Sequence, residues 1–69
     1  MPAQLDAADL EMMGGQVEAA FARLVAAVRR TSGDERATVR LRLLELFETL
    51  GNTDPRVLKA RRDLMTALF

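Results

Sequence analysis

Sixty-nine residues, 49% of them apolar and 29% charged, bound one small globular domain rather than a disordered segment. Cysteine and histidine are both absent. That removes disulfides, thiolate chemistry and the commonest general base and metal ligand, so neither an enzyme nor a cofactor is expected. Ten basic residues balance ten acidic ones, which gives no overall pull toward nucleic acid or a membrane surface. No stretch approaches the roughly 20 apolar residues of a membrane span, and no basic-then-apolar leader opens the chain. The cytoplasm is the expected location, without nucleic-acid or membrane partners.

The first predicted helix covers residues 4–13, where Leu5, Ala8 and Met12 share a face with Ala7 and Leu10 beside it. Gly14-Gly15 breaks that pattern and permits a tight turn. The second helix covers 16–30: Val17, Phe21, Leu24 and Val28 form an apolar stripe, and alanines wrap much of the remaining circumference. A helix apolar or small nearly all round is touched from more than one side.

Thr31-Ser32-Gly33 reads as a loop. The third helix runs from near Asp34 to Leu50, with Val39, Leu43, Leu46, Phe47 and Leu50 on its main face and Ala37, Leu41 and Leu44 on a second. Two apolar faces make it the expected centre of the domain. Gly51 ends it, Asp54 offers a cap and Pro55 suits the first turn of a fourth helix over 55–69. That helix is expected to turn Val57, Leu58, Leu64, Met65 and Leu68 inward. The stretch from Arg40 to Leu68 is thus the helical hairpin around which the rest is organised.

Charge is unevenly spread. Residues 1–20 hold Asp6, Asp9, Glu11 and Glu18 with no basic residue, whereas residues 21–42 hold six arginines against Asp34 and Glu35. Helices packed antiparallel would let the two signs meet; two solvated faces of opposite sign are the alternative reading. Arg61 falls among the apolar residues of the fourth helix, which predicts a structural ion pair, Glu48 being the chosen partner and Glu45 and Asp54 the alternatives, with a role in binding a partner as the competing reading. Met12-Met13 offers flexible thioethers that fill gaps in a hairpin core or, on the surface, suit varied apolar partners; one of the two can be buried while the other is exposed.

Residues 4–30 and 34–69 are each a helix–turn–helix, and with the connecting loop their spacing is close to the roughly 34-residue period of tetratricopeptide repeats, although the halves share little sequence. The fold expected is all-α: four helices in two antiparallel helical hairpins, stacked as the end of a TPR-like solenoid. Gly15, Ala20 five residues later, Leu24, Ala27 and Ala8 resemble the signature positions of such a repeat. The large aromatic of its first helix and the proline after its second are missing. The run Leu43–Gly51, then Asp54-Pro55, Arg61-Arg62, Leu64 and Leu68-Phe69, resembles the C-terminal end of YbbN-type thioredoxin-fused co-chaperones (chaperedoxins). This resemblance implies that residues 1–69 are the C-terminal part of a longer protein. It further implies a non-enzymatic protein–protein interaction module that binds unfolded clients or chaperones. Groove binding of the kind such repeats use points to Leu5, Asp9, Met12 and Met13. A structural cap or self-association domain, as in a homodimer, is the competing reading.

Overall fold

Good helix formers in long runs, cut at three short connections, give four helices: α1 (Pro2–Met13), α2 (Val17–Arg30), α3 (Gly33–Leu50) and α4 (Pro55–Leu68). The computed structural model describes residues 2–69, Pro2 by its backbone alone, and contains no strand among them. Helix ends lie within two residues of the predicted ones.

Each connection closes by satisfying orphan backbone groups at the helix ends. After α1, Gln16 donates its N–H to Glu11 O at 2.7 Å and Gly15 donates to Met12 O at 3.1 Å. Those two bonds make a Schellman cap around Gly15, whose φ of +80° is a left-handed value. After α2, the buried Thr31 hydroxyl donates to Ala27 O at 2.8 Å, and Arg36 Nε donates to Thr31 O at 2.9 Å. After α3, Gly51 turns the chain at φ +98° while its N–H meets Phe47 O at 2.8 Å.

Asp54 then caps α4, its Oδ1 accepting the Arg56 N–H at 2.8 Å. The Arg56 guanidinium also grips this carboxylate, at 2.7 Å. Hydrogen bonds from that side chain, and then from the Arg56 N–H, bring the Asp54 pKa down to about 2.

One apolar cluster joins all four helices: Ala8 from α1; Val17, Ala20, Phe21, Leu24, Val25, Ala27 and Val28 from α2; Val39, Leu43 and Phe47 from α3; Val57, Ala60 and Leu64 from α4. Half of these residues belong to α2, and α2 is the helix that packs extensively on α1, α3 and α4 alike. The expectation that α3 is the centre is therefore corrected. Side-chain size explains the difference. Ala20 and Ala27 are fully buried and let neighbouring backbones come close to α2. On α3 the second face stays largely uncovered: Leu41 and Ala37 are exposed and Leu44 is half-buried.

Phe21 and Phe47 meet edge-to-face at the middle of the cluster, centroids 5.2 Å apart. Burial of a side chain such as Phe47 or Leu43 contributes about 1.5–3 kcal/mol. The fourth helix is rotated from its expected setting: Val57, Ala60 and Leu64 face inward, Leu68 is half-buried, and Leu58 and Met65 point to solvent. It lies chiefly along α2 rather than α3, although it is α3 that the turn connects it to.

The two adjacent glycines differ in what they tolerate. A Cβ on Gly15 would touch nothing within 4 Å, so its cost is purely conformational, whereas one on Gly14 makes ordinary contact with Leu10 O at 3.5 Å. Gly15→Ala is expected to lower the free energy of unfolding by about 1–2 kcal/mol. Gly14→Ala should leave it unchanged or slightly raised, as read from urea unfolding followed by circular dichroism.

Candidate functional site

The first helices of the two hairpins, α1 and α3, are tied by one long side chain. Arg42 on α3 reaches both carboxylate oxygens of Asp9 on α1, at 2.7 and 2.6 Å, and lies 3.6 Å from Glu45 on its own helix. Leu5 and Met12 are half-buried on the same side of α1, packed against the core cluster. Met13, last in the helix, is 84% exposed. Of the four residues expected to meet a partner, then, Leu5 and Met12 serve the core edge. Asp9 holds an ion pair, and Met13 alone offers most of its surface.

A second tie joins α1 and α2 through residues that the sequence-derived expectations did not single out. Arg23 donates through Nε to Glu11 Oε1 at 2.8 Å and through a terminal nitrogen to Gln4 Oε1 at 3.0 Å. Gln4, Ala8 and Glu11 share one face of α1 at helical spacing, with the fully buried Ala8 between two polar arms. That i, i+4, i+7 pattern is the signal in the sequence that locates the clamp. Both ties join the acidic first twenty residues to the basic middle of the chain, as the uneven charge predicts.

Arg61 differs from expectation. Its guanidinium donates to Asn52 Oδ1 at 2.8 Å and lies over the Phe47 ring, 5.1 Å from the centroid. Glu48 is exposed and is not its partner. A neutral amide and an aromatic face thus replace the carboxylate. The guanidinium keeps contact with water, so its desolvation needs no opposite charge.

On the other side of the molecule, Glu18, Phe21, Ala22, Val25, Arg56, Lys59, Ala60 and Asp63 line a dip of about 50 Å³ between α2 and α4. Lys59 and Asp63 pair across its rim at 2.7 Å. That dip alone is far below what a small-molecule site of roughly 300–1,000 Å³ requires. It continues over Ala22, Val25, Ala26, Arg29 and Asp63 as a depression of about 300 Å³ that lies open to solvent rather than enclosing a ligand. Among the described residues no three His, Cys, Asp or Glu side chains converge to hold a metal ion, and none of their helices is long and apolar enough to cross a membrane.

A family model described as "Tetratricopeptide repeat" matches residues 1–69. The chain belongs to the tetratricopeptide-repeat family. The fully buried Ala8 and Ala20, and the Gly15 turn between their helices, are the features of this repeat that the structure makes physical. Repeats of this family typically serve as non-enzymatic protein–protein interaction modules. Curated relatives include uncharacterized proteins of Mycobacterium bovis and of two strains of Mycobacterium tuberculosis. Each is 54% identical over 63 residues, which is 91% of this chain and 21% of the relative. The chain spans about a fifth of the length of the curated relatives it matches. No solved structure matches it.

Arg61→Met keeps the aliphatic stem and removes the charge. The variant should unfold cooperatively with a loss of no more than about 1 kcal/mol, the worth of a half-exposed cation–π contact. Failure of this variant to fold, judged by the loss of a cooperative thermal transition, would show a structural role beyond these two contacts.

Proposed function

We propose that this tetratricopeptide-repeat chain is the C-terminal protein-binding unit of a longer thioredoxin-like co-chaperone. In this reading its α1–α3 side receives unfolded clients or a partner chaperone. The observation that carries the reading is Met13: a flexible thioether standing in solvent beside the Asp9–Arg42 bridge and the half-buried Leu5 and Met12. A polarisable side chain on α1, which like α3 packs against α2, adapts to varied apolar segments, and a nearby ion pair offers polar contacts at the rim. Nothing in this arrangement acts as nucleophile or base, so binding is the activity proposed. The co-chaperone context rests on the run from Leu43 to Phe69. The greater length of the relatives leaves room for the redox domain which that context requires. Residues 4–30 and 34–69 then act as the two hairpins of one unit.

Slowing of aggregation is the direct test. The 69-residue chain, added in equimolar amount to reduced insulin, should delay light scattering by the aggregating B chain. Met13→Asp should weaken the effect about tenfold, the consequence of losing a contact worth about 1.4 kcal/mol. An unaltered scattering curve with the wild-type chain would contradict the client-binding proposal. Equal protection by Met13→Asp would move the binding surface elsewhere.

A further inference from the structure

Two adjacent sulfurs at the end of α1 stand in different surroundings. Met12 is half-buried and packs against the core cluster, whereas Met13 is 84% exposed. Met65, on α4, is 61% exposed. Cysteine, histidine, tryptophan and tyrosine are all absent from the chain. Thioethers are therefore the side chains that a hydroperoxide attacks here, and exposure decides which of them reacts first. By that measure Met13 leads.

We infer that Met13 is an oxidation site through which a hydroperoxide switches off client binding on the α1–α3 side. The inference rests on the client-binding reading and adds the regulation of that surface. A lone pair on Met13 Sδ attacks one peroxide oxygen, so that an S–O bond forms as the O–O bond breaks. The hydroxide released takes the proton of the new S–OH group and departs as water. Sulfur is oxidised by two electrons and the peroxide is reduced. The product is a sulfoxide, polar where the thioether was apolar. An apolar client segment then loses its contact, because covering the S=O group strips it of water and supplies no hydrogen-bond donor. The fold itself is spared. Met13 is not among the side chains packed on the core, and the cap that closes α1 uses the backbone carbonyls of Glu11 and Met12. Met12 is shielded by the packing that makes it structural, so the neighbouring pair separates a reactive sulfur from a protected one. A sulfoxide reductase reverses the change, two thiols becoming a disulfide as the oxygen leaves as water.

The whole chain, treated with dilute hydrogen peroxide and then freed of it, is read by peptide mass spectrometry for one added oxygen at each methionine. Met13 and Met65 should convert about tenfold faster than Met12. Circular dichroism of the treated chain should match that of the reduced one. In the insulin assay the oxidised chain should protect about tenfold more weakly than the reduced chain, and methionine sulfoxide reductases should restore it. Met13→Leu, apolar and inert to peroxide, should protect equally before and after treatment even though its Met65 is oxidised. Protection that survives oxidation of Met13 would overturn the inference and leave the client-binding reading standing. An equal loss in Met13→Leu would also overturn it, by placing the sensitive sulfur elsewhere. A reduced chain that gives no protection would instead remove the client-binding reading, and the inference with it.

Discussion

The close approach of three helices to α2 is the constraint on which the rest of the structure depends. Ala20 and Ala27 are fully buried, with Leu24 and Val28 beside them, so small and large side chains alternate along the inward side of α2. A chain this short encloses little volume, and one helix shared by every interface is an economical way to make a single core. The other three helices then need only one buried stripe each. That is why α3 and α4 keep exposed leucine and methionine on their far sides.

Charged side chains arrange what the core holds together. Arg23 ties α2 to α1 through Glu11 and Gln4, and Arg42 ties α3 to α1 through Asp9. Each bridge is partly exposed and adds little stability, but each disfavours a wrong pairing of helices. The acidic charge of α1 is thus largely spent inside the fold, on Arg23 and Arg42.

The helices and turns were legible in the sequence because local chemistry decides them. Gly15, Gly51, Asp54 and Pro55 each do at their helix ends what their residue type dictates. Which helix is central was not legible, because a stripe of large residues on α3 looks more buried than a run of alanines. Close backbone approach favours the alanines instead. Leu58 and Met65 were misplaced for a related reason: apolar character says that a residue is willing to be buried, while the rotation of α4 against α2 decides whether it is. Arg61 shows a further limit. The spacing located an arginine among apolar neighbours, but Asn52, nine residues away in the α3–α4 turn, became its partner only once that turn was folded. Of the candidate site, Met13 stands out to solvent, while Asp9 has its carboxylate taken by an arginine 33 residues away.

The central role of α2 is tested most directly by one pair of substitutions on that helix. Ala20→Leu and Ala26→Leu change helix propensity equally and very little. Ala20 is fully buried and Ala26 is exposed. In urea unfolding, Ala20→Leu should lose about 1–3 kcal/mol to overpacking, and Ala26→Leu should stay within about 0.5 kcal/mol of the wild type. Equal losses at the two positions, or a harmless leucine at position 20, would contradict a core built around the close approach to α2.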